Sequence, residues 1–129
     1  MDDGGNDLYD GYHVALLGAA WDLGMAALVD RNGNDVYKRG ANGFTQAASS
    51  HNGMSFFIDD AGIDRYIGEQ GRADSNDYHG GASLSVFIDA GGDQDDYSSG
   101  TNNAITCGGE YGIRADVEDS VNNVLKDQN

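Results

Sequence analysis

Eight aspartates stand at two fixed positions of a motif that the chain repeats four times. The motif is D-x-x-G-x-D-x-Y, and its copies begin 28, 29 and 30 residues apart; the fourth has one extra residue between its glycine and its tyrosine. Carboxylates gathered in this number are ligands for a hard cation such as Ca²⁺, which takes about six to eight oxygens. The pattern therefore predicts calcium ligands at Asp2, Asp7, Asp30, Asp35, Asp59, Asp64, Asp89 and Asp95.

The spacing of the motif indicates the architecture that positions these acids. A fixed period in this range is typical of supersecondary units that stack and share one core. Each unit contains three short segments separated by turns, which describes one coil of a parallel β-solenoid with equivalent residues about 4.8 Å apart. We predict an all-β parallel β-solenoid of about four and a half coils, spanning residues 1–118, with coils starting near residues 2, 30, 59 and 89. A small antiparallel sandwich is the competing fold.

The strand before each motif alternates with period 2, which predicts one buried and one outward face. Counting back from the first aspartate, positions −1, −3 and −5 are apolar, as in Ile58, Phe56 and Met54, and we expect them to face inward. Position −2 is then outward although it is also apolar. That stripe is either an interaction surface or is covered by a neighbouring loop, and it comprises Leu28, Phe57 and Phe87.

Both ends of the repeat array suggest further expectations. A partial fifth copy contains Ile113, Ala115 and Val117, with Glu118 in place of the aspartate, and residues 119–129 have the apolar spacing of an amphipathic helix. We predict that this helix caps the C-terminal end. The chain begins inside a motif, so either earlier coils or a second molecule cover the other end. Head-to-tail contacts that do not close generate filaments, so we expect a homo-oligomer or filament.

Two turns carry a resemblance to a known family. Gly4-Gly5-Asn6-Asp7-Leu8-Tyr9 and Gly33-Asn34-Asp35-Val36-Tyr37 resemble the turns of the repeats-in-toxin calcium-binding β-rolls, whose consensus is G-G-x-G-x-D-x-U-x. The resemblance implies calcium held by aspartate carboxylates and backbone carbonyls, and a secreted protein. It covers the turns alone, because the motif returns here at the longer period given above.

The residues themselves leave two explanations for the stacked acids. Carboxylates about 5 Å apart repel by about 3 kcal/mol per pair at an effective dielectric constant of about 20, so something must offset the repulsion. Either Ca²⁺ does so, or each aspartate accepts hydrogen bonds from the amides of its own turn, as in an Asx-turn, and no metal binds. We interpret the tyrosine of each motif as part of an aromatic ladder with its hydroxyls at the edge.

A second set of residues has metal-binding chemistry. Two residues before the glycine that opens each apolar strand, the chain has two histidines flanked by two acids. Such a set either binds zinc or another transition metal, acts as acid and base, or is a solvated row of ion pairs. Its members are Asp22, His51, His79 and Glu110.

Composition excludes several classes of function. The net charge is −15 with a pI near 4.1, which opposes binding to nucleic acid or to anionic membranes. The single cysteine, Cys107, excludes an internal disulfide, and no apolar run is long enough for membrane insertion. Nucleophile elbows, phosphate loops and H-E-x-x-H motifs do not occur in the sequence.

The leading hypothesis is therefore a non-enzymatic protein. We expect a calcium-stabilised extracellular or cell-surface β-solenoid with a structural or adhesive role that assembles end to end into filaments. The alternative is a carbohydrate-binding or carbohydrate-cleaving parallel β-helix, in which surface acids and aromatics contact a glycan. The sequence leaves enzymatic activity open.

Overall fold

A computed structural model of the chain describes residues 1–11, 17–40, 46–74, 79–92, 94–109 and 111–117. This part of the chain is all-β, and within it no helix is long and apolar enough to cross a membrane. Its twelve strands are β1 (Leu8–Gly11), β2 (Ala20–Trp21), β3 (Met25–Asp30), β4 (Val36–Arg39), β5 (Ala48–Ser50), β6 (Met54–Asp59), β7 (Arg65–Ile67), β8 (Arg72–Ala73), β9 (Leu84–Ala90), β10 (Asp96–Tyr97), β11 (Ile105–Gly109) and β12 (Gly112–Val117).

The strands stack as a parallel β-solenoid of about three turns, so this part of the prediction is confirmed. One face is the parallel sheet β1-β4-β7-β10, a second is formed by β2, β5, β8 and β11, and a third by β3, β6, β9 and β12. Equivalent motif residues pair between coils: Asp30 is opposite Asp59, and Asp59 is opposite Asp89. The period of the motif therefore sets the register of the coils.

The last repeat differs from the prediction. β12 runs parallel to β9 but antiparallel to β11, which joins the second and third faces into one eight-stranded sheet. Because this repeat folds back as an antiparallel pair, it does not complete another coil. Asp116, not Glu118, is opposite Asp89, so the expected register of the fifth copy was wrong by two residues. Glu118 and the predicted cap over residues 119–129 lie outside the described residues.

For the third face, the predicted period of two is confirmed, but the prediction of which positions are buried was wrong. Phe57 and Phe87, expected outside, are fully buried, whereas Met25 and Met54, expected inside, are 74% and 41% exposed. Asp59 follows Phe57 by two residues, and Asp89 follows Phe87 by two residues. Each aspartate therefore faces inward on the same side of its strand as the phenylalanine. The inner apolar stripe is therefore the core, and the apolar positions −1, −3 and −5 form the outer face of β3, β6, β9 and β12.

Two aromatic ladders fill the interior. The rings of Tyr37 and Tyr66 stack 5.1 Å apart at 8°, and those of Phe57 and Phe87 stack 5.0 Å apart at 22°. The ladders meet edge to face, with Tyr37 against Phe57 at 4.9 Å and 81°, the arrangement that aromatic quadrupoles favour. The tyrosine ladder was predicted, but its hydroxyls point into the core and not to the edge.

The motif glycine allows the coils to approach closely. Gly33 lies opposite Gly5 and Gly62 in isolated parallel bridges. A Cβ on Gly33 would overlap the carbonyl oxygen of Gly5, and one on Gly62 would overlap that of Gly33. The same Cβ atoms would also press on the carboxylate of the second motif aspartate, Asp35 or Asp64. Glycine is required here because backbone and carboxylate together occupy the space of a side chain.

Candidate metal centre

The first aspartate of each motif faces the tyrosine ladder inside the solenoid. Asp30 accepts hydrogen bonds at Oδ2 from the hydroxyls of Tyr9 (2.6 Å) and Tyr37 (3.0 Å). Asp59 repeats the arrangement at Oδ2 with Tyr37 (2.7 Å) and Tyr66 (3.0 Å), and the single hydroxyl proton of Tyr37 is shared between Asp30 and Asp59. Each carboxylate thus bridges tyrosines of two successive coils. It uses only its Oδ2 atom for both contacts.

The second aspartate of each motif links the turns of successive coils. The amide of Asp7 donates to Oδ1 of Asp35 at 2.6 Å, the amide of Asp35 to Oδ1 of Asp64 at 2.7 Å, and the amide of Asp64 to Oδ1 of Asp95 at 2.6 Å. Amide capping by aspartate was one of the two expected explanations, but the bonds run between coils and not within each turn. Here too, the ladder uses one oxygen of each carboxylate.

The other oxygen of these carboxylates is buried without a hydrogen-bond partner. This holds for Oδ1 of Asp30, Asp59 and Asp89 and for Oδ2 of Asp35 and Asp64. Buried acceptors without a donor are rare in native proteins, and an unpaired buried charge is costly. The repetition of the same unsatisfied atom from coil to coil indicates a shared requirement for a proton or a cation.

Two groups of these acids have the spacing of metal ligands. In the first cluster, Asp35, Asp59 and Asp64 each offer an oxygen, and the three atoms lie within 4.8 Å of one another. Oxygens that share one Ca²⁺ at about 2.3–2.6 Å are separated by no more than about 5 Å, so the cluster fits this ion. A second cluster with the same spacing comprises Asp89, Asp95 and Asp116.

Burial makes the ionised form of these acids unfavourable. It raises the pKa of Asp59 to about 6, against hydrogen bonds from Tyr37 and Tyr66 that lower it. Burial, with the negative charges of Asp59 and Asp89, raises the pKa of Asp64 to about 8, against the hydrogen bond from the amide of Asp35 that lowers it. Burial is also the main cause of the raised pKa of the other shifted members of the two clusters, namely Asp35, Asp89 and Asp95.

The structure divides the eight predicted calcium ligands. Five of them belong to the two clusters: Asp35, Asp59, Asp64, Asp89 and Asp95. Asp30 is buried beside the tyrosines but belongs to neither cluster, and Asp7 is exposed in the first coil. Asp2 accepts from the amide of Gly4, which holds its pKa below its usual value. Asp116 was missed because the sequence placed Glu118 in its register, and its spacing from Asp89 gave no signal of the folded-back repeat.

The two clusters differ in their nearest positive charge. Arg114 is almost fully buried; it contacts Oδ2 of Asp116 at 3.4 Å and lies 4.1 Å from the ring centre of Tyr97. The second cluster therefore has the guanidinium group of Arg114 beside it as a fixed positive charge. Among the ion pairs of the described residues, none involves a member of the first cluster. The first cluster is the better candidate for a metal.

The predicted row of acids and histidines is partly assembled. Oδ1 of Asp22 lies 2.6 Å from Nε2 of His79 and 3.6 Å from Nδ1 of His51. The hydrogen bond from His79 lowers the pKa of Asp22, and the positive charge that the two histidines can carry lowers it further. Glu110, the fourth member, lies outside the described residues.

The fold and the site together define a class: an all-β solenoid whose interior combines aromatic ladders with buried carboxylates. Comparison of the chain with protein-family models, with curated proteins and with solved structures finds no match. The resemblance of the turns to repeats-in-toxin β-rolls stays a prediction. The function is therefore argued from the geometry of the site.

Proposed function

We propose that this protein is a structural β-solenoid stabilised by Ca²⁺ bound between its coils at Asp35, Asp59 and Asp64. One observation carries the proposal. Each of these buried carboxylates has one oxygen with no hydrogen-bond partner, and the three side chains offer ligand atoms within 4.8 Å of one another. Three carboxylates around one divalent cation replace mutual repulsion with attraction in a site shielded from water.

The donor set favours Ca²⁺ over softer metals. All three ligand side chains supply oxygen, which suits Ca²⁺ or Mg²⁺, whereas zinc and copper favour nitrogen and sulfur. Ca²⁺ tolerates irregular geometry and completes its shell with carbonyl oxygens and water. Asp35 belongs to one coil and Asp59 and Asp64 to the next, so the ion cross-links neighbouring coils. Binding to the native state alone then stabilises the fold by mass action.

We place this function outside the cell, in a structural or adhesive role. Extracellular modules bind calcium with dissociation constants of about 10⁻⁴–10⁻³ M, and we expect weak binding here too, because the ion must displace protons from its ligands. Self-association is part of the proposal. The outer face of β3, β6, β9 and β12 supports it, since Met25 and Ile113 are large and exposed there. β12 already pairs on both sides, with β9 and β11, so we do not assign the contact to its edge.

Equilibrium dialysis against radioactive calcium tests the ion. We expect about one Ca²⁺ bound per chain at millimolar concentration, and its loss in an Asp59→Asn, Asp64→Asn double variant. Asp60→Asn is the matched control, because Asp60 is exposed beside the cluster. A wild-type chain that binds no calcium, or a double variant that binds as much as the control, overturns the proposal.

A cavity supports glycan binding as a second candidate function. It measures about 500 Å³ and is lined by Glu69, Gln70, Arg72, Ser99, Gly100, Thr106 and Arg114. Arg72, whose side chain is 53% exposed, lies beside hydroxyl and amide groups and suits an acidic sugar, whereas Arg114 is held by Asp116 and Tyr97. Cleavage is less well supported, because glycosidases generally use a pair of carboxylates and Glu69 is the single acid among these lining residues. A glycan array enriched in uronates, probed with wild type and with Arg72→Ala, tests this function.

A further inference from the structure

The corner cluster of Asp22, His51 and His79 lies on the solenoid surface, away from the buried acids. His51 Nδ1 and His79 Nε2 approach the same carboxylate oxygen of Asp22, at 3.6 Å and 2.6 Å. These residues come from the corners before β3, β6 and β9, so three successive coils contribute one side chain each. Ten residues separate β8 from β9, whereas three separate β2 from β3 and three separate β5 from β6; Nε2 of His79 contacts the first coil at Asp22.

We propose that Asp22, His51 and His79 bind a divalent transition metal such as Zn²⁺, Ni²⁺ or Cu²⁺. Two imidazoles and a carboxylate are a donor set that these ions prefer and that Ca²⁺ does not. Binding requires neutral imidazoles, so the metal takes the place of the proton shared by His79 and Asp22 and releases it to solvent. The remaining coordination positions are filled by water.

The backbone of the corners holds two of the ligands in fixed places. Asp22 and His51 have φ angles of 57° and 52°, in the left-handed region, which aspartate, asparagine and histidine enter more readily than other residues that carry a Cβ. The amide of Asn52 donates to the hydroxyl of Ser83 at 3.1 Å, which ties the second corner to the third. The histidine rings are 6.5 Å apart between centres, and the described groups whose ligand atoms lie within 4.8 Å of one another are the two aspartate clusters, so metal binding here requires rotation of the two imidazoles toward Asp22.

The single tryptophan gives a direct reading of this site. The rings of Trp21 and His51 lie 4.5 Å apart between centres. We expect Cu²⁺ or Ni²⁺ to quench Trp21 fluorescence with a saturable, one-to-one dependence, and Zn²⁺, which does not quench, to compete. The titration is run with and without excess calcium: quenching by metal at the corner cluster should be the same in both, whether or not the interior cluster binds calcium.

Substitutions of the ligands decide the proposal. His51→Asn is compatible with the left-handed backbone, and together with His79→Asn it should weaken Cu²⁺ binding by about a hundredfold or more, since the loss of a mere outer-shell partner of a ligand already costs about 10–100-fold. Asp22→Asn should weaken it as well. His13→Asn, which changes the remaining histidine, and Asp60→Asn should bind as the wild type does. Circular dichroism of each variant verifies the fold.

Two outcomes overturn the proposal. Quenching that rises linearly without saturation means that the metal collides with Trp21 and does not bind. Equal affinity in the wild type and the double histidine variant, with the fold intact, means that the corner cluster is an ion pair only. A loss of affinity in His13→Asn as large as in the double variant assigns the metal to a different place and also contradicts the proposal.

Discussion

Asp64→Asn removes one negative charge from the first cluster and preserves the shape of the side chain. The amide oxygen of asparagine can still accept the hydrogen bond from Asp35 N, as Oδ1 of Asp64 does at 2.7 Å. The amide nitrogen replaces Oδ2, the atom that has no donor, and presents protons toward the unsatisfied oxygens of Asp35 and Asp59. Without calcium, we therefore expect the variant to be more stable than the wild type at alkaline pH.

The raised pKa values fix the sign and size of this effect. Between about pH 4, the pKa of an unfolded aspartate, and about pH 8, the pKa of Asp64 in the fold, the native state holds a proton that the unfolded state has lost. Stability therefore falls as pH rises through this window, by about 1.4 kcal/mol per pH unit for one group. Asp59, with a pKa of about 6, adds a second contribution below about pH 6. Asp64→Asn removes the first contribution and flattens the slope.

Urea unfolding at several pH values measures the slope directly. The wild type in chelator should lose stability from about pH 5 to about pH 8, and millimolar calcium should flatten the loss because the ion replaces the proton. Asp60→Asn, with the same change in net charge at an exposed position, should keep the wild-type slope. If wild-type stability in chelator is constant or increases over this range, or if Asp64→Asn and Asp60→Asn have the same slope, the reasoning is wrong.

Three further predictions test the interior. Tyr66→Phe removes a donor to Asp59 and should lower the free energy of unfolding by about 1–3 kcal/mol in urea unfolding; an unchanged value contradicts the proposed bridging. Gly62→Ala should lower the free energy of unfolding by about 1–3 kcal/mol, the usual cost of overpacking, because its Cβ overlaps the carbonyl oxygen of Gly33 in the preceding coil; a wild-type melting temperature refutes the close packing. Met54→Asn should reduce light scattering at high concentration without unfolding, while Phe57→Asn should unfold the chain; equal melting temperatures of these two variants contradict the inward phase.

The sequence was sufficient for the architecture because the period is a property of spacing alone. Asp30, Asp59 and Asp89 stand one coil apart, and parallel pairing of equivalent residues follows wherever identical side chains stack. The grouping of acids near one another also follows from the period. None of this requires knowledge of which face of a strand is buried.

The phase of the strands could not be predicted from hydrophobicity. In β6, Met54, Phe56 and Ile58 are apolar on one face, whereas the other face combines Phe57 with Ser55 and Asp59. Counting apolar residues chooses the first face. The structure chooses the second, because buried tyrosine hydroxyls need acceptors and Asp59 supplies one to two of them. The decisive interaction joins residues of different coils, so no pattern within one strand reveals it.

The inward orientation of Asp59 explains both which face of the strand is buried and why the interior needs a proton or a cation. Once Asp59 faces inward to satisfy the tyrosines, its second oxygen is buried where no hydroxyl reaches it, and Asp35 and Asp64 bring two more such carboxylates close to it. At the end of the solenoid, where the last repeat folds back, the position opposite Phe87 is Arg114, which supplies a tethered positive charge to Asp116. In the middle coils the equivalent inward position is a phenylalanine, as in Phe57. The interior acids there can be neutralised by protons or by a cation from solvent, and a divalent ion is the one that also joins the coils together.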